Sequence, residues 1–163
     1  MLVNCAGQIE VGPLDAMSLD DYDGAMRTNF YGALHTAMAV VPSMRARKSG
    51  RIVNISSVGG LVAVPHLLPY TASKFALTGL SLGMRAELAQ YGIRVVAVCP
   101  GLMRTGSPVN VRYKGDAEAE FAWFKVADSL PLLSMNAARA ARRIATATQT
   151  GEARVILTVA AGS

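Results

Sequence analysis

Tyr70-Thr71-Ala72-Ser73-Lys74 sets a phenol and an ammonium four residues apart, where a helix is expected to begin. Residues i and i+4 share a helix face with Cβ atoms about 5–6 Å apart, so the Lys74 charge can act on the Tyr70 hydroxyl. A phenol titrates near 10 in water, and a cation within about 4–6 Å lowers that value. The expectation is a Tyr70 hydroxyl tuned downward by Lys74 and usable as an acid or base near neutrality. Tyr and Lys are common helix residues, so the spacing acquires meaning only from its surroundings.

Those surroundings are strand ends. Ser57 closes the β-branched run Arg51-Ile52-Val53-Asn54-Ile55-Ser56-Ser57, thirteen residues before Tyr70, and Gly59-Gly60 follow it. The run reads as a buried parallel strand that delivers a hydroxyl at its C-terminal end. Leu2-Val3-Asn4-Cys5-Ala6-Gly7 is a short apolar strand breaking into a glycine turn. Ile93 to Cys99 is a third strand running into Pro100-Gly101, with Met103 and Thr105 just beyond.

Helices alternate with these strands, which predicts a parallel α/β sheet without repeats or interdomain linkers. Ser18-Leu19-Asp20-Asp21 has the form of an N-cap box opening a long helix that carries Thr28-Asn29-Phe30 at its middle and ends by Ser49-Gly50. Pro42, lacking an N–H, predicts a kink or early stop. A second long helix follows Tyr70 and closes at Gly92. A third runs from about Asn136 to Gly151 and leads into the strand-like Val155 to Val159.

Composition bounds the rest. A chain of 163 residues, 52% hydrophobic and 17% charged, has room for one core. The net charge of +5 is scattered apart from Arg45-Ala46-Arg47-Lys48 and Arg139 to Arg143. Neither cluster is interleaved with aromatics, which argues against nucleic-acid binding. No apolar run approaches the roughly 18 residues of a membrane span, no basic n-region followed by an apolar h-region opens the given sequence, and a cytoplasmic protein is the default expectation. Cys5 and Cys99 fall on strands expected to be separated by a third, too far apart for a disulfide. Only His35 and His66 are present and there is no C-x-x-C, so no metal is expected. The sequon Asn54-Ile55-Ser56 lies inside a strand and is read as chance.

The joint spacing of these motifs resembles the short-chain dehydrogenase/reductase family, along nearly the whole chain. That resemblance implies a Rossmann-like, doubly wound dinucleotide-binding fold and an NAD(P)-dependent oxidoreductase interconverting a carbonyl and an alcohol. The family opens with a strand and a G-x-x-x-G-x-G turn that aims N–H groups at the cofactor pyrophosphate. No segment here matches it. The expectation is therefore a single incomplete domain over residues 1–163, the second half of such a fold.

By the same resemblance, Tyr70 donates a proton to the carbonyl oxygen and Ser57 hydrogen-bonds it. Lys74 lowers the Tyr70 pKa and contacts the nicotinamide ribose, while Asn29 holds a water linking the lysine to solvent. Asn4, Cys5, Ala6 and Gly7 pass beneath the adenine-side ribose; Cys5 replaces the usual asparagine at a position that mainly offers its carbonyl. Pro100, Gly101, Met103 and Thr105 match the stretch that packs on the nicotinamide. The residue selecting NAD or NADP lies, in that family, on a strand these motifs do not include, so either cofactor fits. Homodimers or homotetramers through the two long helices are implied, with outward faces lined by Met38, Leu77 and Leu82.

The residues from Leu102 to Ser134 carry Tyr113, Phe121, Trp123 and Phe124 and are too long for an ordinary connection. They are expected to close over a bulky or apolar alcohol or ketone. Two other readings compete. One is an inactive fragment or pseudoenzyme serving as an association module. The other is a serine hydrolase, because Gly79-Leu80-Ser81-Leu82-Gly83 spells a nucleophile elbow; yet Ser81 falls within a helix period and both histidines precede it.

Overall fold

The computed structural model describes residues 1–104, 111–122 and 134–158, without the side chains of Leu102, Arg104 and Ser134. Its centre is β4 (Ile93–Pro100), where every residue but Arg94 is buried, as expected of a strand covered on both faces. Around it runs a parallel sheet in the order β1 (Leu2–Asn4), β3 (Gly50–Ile55), β4 and β8 (Arg154–Leu157). The register pairs Val3 with Val53, Val53 with Val96, and Val98 with Val155. Cys5 and Cys99 are thus separated by β3, and both are free thiols.

Alternation along the strands divides the core in two. Ile52, Ile93 and Val95 pack with Ala37, Met44 and Leu88 of helices α2 (Gly32–Ala46) and α3 (Leu68–Leu88). Val53, Val96, Val98 and Val155 pack on the opposite face with Ala140 and Ala147 of α5 (Ala137–Thr150). Helices on both faces of a parallel sheet make this an α/β doubly wound architecture.

Helix ends follow the sequence signals. Ser18 and Asp21 close a reciprocal capping box at the start of α1 (Leu19–Met26), and these bonds hold the Asp21 carboxyl down at about 2. Gly92 (φ 68°) terminates the turn after α3, and Gly151 (φ 74°) terminates α5, whose N-cap Asn136 accepts from Ala138 N at 2.9 Å. Arg51 and Arg94 donate to the last carbonyls of α5, those of Thr148 and Thr150, each at 2.8 Å.

Four expectations need correction. Between α1 and α2 the helix widens to a π turn over Arg27–Tyr31, closed by Gly32 N–H on Arg27 O. Pro42 does not end α2; it lies inside that helix, on its exposed side. Leu77, expected on an outward face, is only 2% exposed because it lies on the core side of α3 with Ser73, Lys74 and Ser81. The stretch read as one long connection after Leu102 holds regular elements among its described residues: β5 (Leu102–Arg104) pairs with β7 (Ser134–Asn136), and β6 (Arg112–Tyr113) pairs with β2 (Glu10–Val11) ahead of a helical segment, α4, at residues 117–122.

Candidate active site

Side chains delivered by β3, α3 and the π turn meet near the C-terminal ends of β1, β3 and β4. Ser57 follows β3 and caps a tight turn at Val58–Gly60, its Oγ accepting from Gly59 N at 3.0 Å and lying 3.5 Å from Pro100 O. The turn can pack under α3 only because residue 60 is glycine. A Cβ there would stand 2.6 Å from the Lys74 carbonyl oxygen and 2.7 Å from Ser56 Oγ. Ser56 in turn bonds Lys74 O and Thr78, locking the strand end to the helix.

Tyr70 lies in the first turn of α3, beside Ser57. Burial pushes its phenol above the ordinary value, and the Ser57 hydroxyl partly offsets this. This corrects the expectation that Lys74 pulls it down. The Lys74 ammonium sits 5.6 Å from the Tyr70 ring centroid, and desolvation dominates. Lys74 is itself 3% exposed, and burial lowers its pKa to about 8. Its Nζ donates to Ile55 O at 2.9 Å, the only hydrogen bond of that ammonium among the described residues.

Asn29 is brought inward by the π turn and is 1% exposed. Its carboxamide donates to Ser73 Oγ at 2.9 Å and to Gln8 O at 3.0 Å, and accepts from Gln8 N at 2.8 Å. Ser73 Oγ donates to Tyr70 O at 2.8 Å. A Cβ added to Gly7 would lie 3.5 Å from Asn29 Oδ1 and 3.7 Å from Lys74 Nζ, so both polar groups border the space above that glycine.

Asn4 is tied to Asn54 Oδ1 at 2.8 Å, whereas Cys5, Ala6 and Gly7 form an exposed, irregular segment. Pro100 and Gly101 stand next to Ser57, and Gly101 N donates to Leu157 O at 2.8 Å. Met103 packs against the core on the α5 side of the sheet. Thr105, with Trp123 and Phe124, lies outside the described residues. Ser73 and Gln8 are participants that sequence reasoning missed. Ser73, three residues after Tyr70 on one helix face, carried a legible signal; Gln8 carried none.

Ser81 is buried inside α3, donating to Leu77 O at 2.7 Å and accepting from Asn54 Nδ2 at 2.9 Å. It is a structural hydroxyl, far from an elbow's geometry, and Asn54 is as buried as a strand position should be. Among the described residues no three His, Cys, Asp or Glu side chains gather as for a metal, and no helix is long and apolar enough to cross a membrane.

The sequence profile of the short chain dehydrogenase family matches residues 1–114. The chain belongs to that family. The oxidoreductase UcpA of Escherichia coli O157:H7 is 38% identical over 96% of this chain and 57% of its own length. A short-chain dehydrogenase from Streptomyces avermitilis superposes with a TM-score of 0.80 at 29% identity, over 96% of this chain and 59% of its own. A gluconate 5-dehydrogenase from Burkholderia cenocepacia, solved with NADP and tartrate, gives 0.73 at 30% identity, over 96% of this chain and 62% of its own. This chain thus spans little more than half the length of the relatives it matches.

Proposed function

We propose that the full-length protein is an NAD(P)-dependent oxidoreductase that interconverts a ketone and an alcohol without a metal, with Ser57, Tyr70, Lys74 and Asn29 as its site. The observation that carries this reading is the convergence of these four residues at the strand ends, around an ammonium with one hydrogen bond among the described residues. An ammonium has three N–H donors, so the buried Lys74 has capacity for a polyhydroxyl ligand such as a ribose. Lys74 Nζ and Asn29 Oδ1 both border the position above Gly7, so both would face a group bound there. A nicotinamide dinucleotide, when bound, supplies or accepts the hydride.

The chain's own residues handle the proton. Tyr70, kept protonated at neutral pH by burial, acts as the acid toward the substrate oxygen. The Ser57 hydroxyl donates a second hydrogen bond to that oxygen as charge develops on it. Lys74 places a positive charge beside the phenolate left after transfer, and Asn29 borders the route by which a proton from solvent, passed on by Lys74, returns to that phenolate. Cys5, Ala6, Gly7, Pro100, Gly101, Met103 and Thr105 complete the cofactor side in this reading, and the preference between NAD and NADP stays open. The substrate side includes Tyr113, which packs with Tyr70, Val64 and Val111 in an apolar cluster and makes an edge contact with Phe121 at 5.5 Å. An apolar alcohol or ketone suits that wall.

Self-association through α2 and α3 belongs to the same proposal, because Met38 (65% exposed), Phe75 and Leu82 stand open on these helices. Equilibrium binding of NADPH and NADH to the full-length protein tests the reading against that of a relic that only associates. Measurable affinity that falls in Lys74→Ala supports the enzyme, and no affinity for either nucleotide overturns it.

A further inference from the structure

Glu10 is a carboxylate with no access to solvent, set in a two-residue strand beside apolar Ile9 and Val11. Burying a carboxyl group is costly unless its oxygens are satisfied, and among the described residues only one of the two is. Oε1 accepts from the Gln8 side-chain amide, while Oε2 has no hydrogen-bond partner among the described residues. Its ion-pair partner among the described residues is the largely exposed Arg112, 4.0 Å from Oε1, on the strand that pairs with β2. A buried carboxyl group so incompletely partnered does little for stability.

What it does hold is Gln8. The amide of Gln8 is gripped at both ends, giving its N–H to Glu10 and accepting from Thr28 Oγ1 at 3.3 Å. The backbone of Gln8 is in turn bonded twice to the Asn29 carboxamide, at 2.8 and 3.0 Å. Gln8 follows the exposed Gly7, where φ and ψ are least restricted, so its own peptide would not hold that geometry unaided. An unbroken series of contacts therefore runs from Arg112 through Glu10 and Gln8 to Asn29, Ser73 and the backbone of Tyr70.

We infer that Glu10 is a positioning residue that, through Gln8, fixes the Asn29 carboxamide beside Lys74 and links it to strand β6. The placement of Asn29 stands on geometry alone; its consequence for turnover rests on the function proposed above. A buried, incompletely partnered carboxyl group within two hydrogen bonds of a site residue is the pattern expected where function opposes stability.

The test uses Glu10→Gln, which keeps the size and can still accept from Gln8 but drops the charge, and Glu10→Met, which removes the acceptor, both in the full-length protein. Hydrogen exchange read by NMR at the Gln8 backbone N–H reports its bond to Asn29 directly. Glu10→Met should exchange there at least about 10-fold faster, Glu10→Gln should be intermediate, and the β4 amides should be unchanged in both. Where Glu10→Met fails to fold, Gln8→Ala, which removes the same anchor from a partly exposed position, should weaken the signal of an immobilised Asn29 side-chain amide in the same way. Unchanged exchange at Gln8 in Glu10→Met, or an unmoved Asn29 amide in Gln8→Ala, overturns the inference. In the activity arm, kcat should fall about 10- to 100-fold with the cofactor KM little altered, as for misplacement of a positioned group. Altered Gln8 exchange with undiminished kcat would uphold the anchoring and count against the role proposed for Asn29.

Discussion

The Lys74 ammonium donates to the carbonyl oxygen of Ile55, two residues before Ser57 on the same chain segment. One bond thereby fastens the helix bearing Tyr70 to the strand end bearing Ser57. The lysine shapes the site as well as charging it, and substitutions there and at Tyr70 should have distinguishable effects.

Tyr70→Phe in the full-length protein should reduce turnover about 10²–10⁴-fold, the usual worth of a general acid, with NAD(P)H affinity near wild type. Lys74→Ala should damage both, since it acts in the ground state and the transition state alike. Steady-state kinetics with equilibrium nucleotide titration read the two effects separately. A Tyr70→Phe enzyme keeping more than about a tenth of its turnover would contradict the assignment.

Burial lowers the Lys74 pKa from 10.5 to about 8. Between those values the unfolded chain binds more protons than the native one, so stability should rise with pH across that window. The burden of the buried charge, on the order of 3 kcal/mol from the size of the shift, is fully present below about pH 8. Lys74→Met should thus compare most favourably with wild type near pH 7 and lose ground toward pH 10.5, as urea unfolding at a series of pH values would register. A pH-independent difference would count against it. In catalysis, Lys74→Arg keeps its charge above pH 8 and should retain more of the alkaline activity than Lys74→Ala.

Gly60→Ala would drive a methyl group into the Lys74 carbonyl and Ser56 Oγ. A loss of about 1–3 kcal/mol is expected from overpacking, with Ser57 displaced from Tyr70. Thermal unfolding and kcat should fall together; a wild-type melting temperature would show that α3 can yield at no cost.

Met38→Glu combined with Leu82→Glu places two charges on exposed apolar positions. The full-length double variant should sediment as a smaller species than wild type with unchanged far-ultraviolet circular dichroism. An unaltered sedimentation coefficient would remove α2 and α3 from the interface.

Much of the architecture was legible because it depends on local patterns. The β-branched runs of β3 and β4, the Ser18 box and the glycines at 92 and 151 each announce themselves within a few residues. Tyr70, Ser57 and Lys74 were readable through their spacing, and they do converge. The direction of the Tyr70 shift was not, because desolvation depends on what covers the ring and no spacing records that. Gln8 and Glu10 were illegible for a related reason. Their significance comes from contacts with Asn29 and Arg112, at separations of 21 and 102 residues.

The π turn at Arg27–Tyr31 acts as a phase adjuster. Ala25, Asn29, Ala33 and Ala37 are buried at strict four-residue intervals. A regular helix of 3.6 residues per turn would drift by about 40° at each step and about 120° over the three, carrying Ala37 off the sheet. One wider turn absorbs the excess, letting a single rod aim Asn29 at the lysine while Met38 still looks outward. Deleting one residue within it would restore a uniform helix and force a choice between the inward carboxamide and the outward apolar stripe.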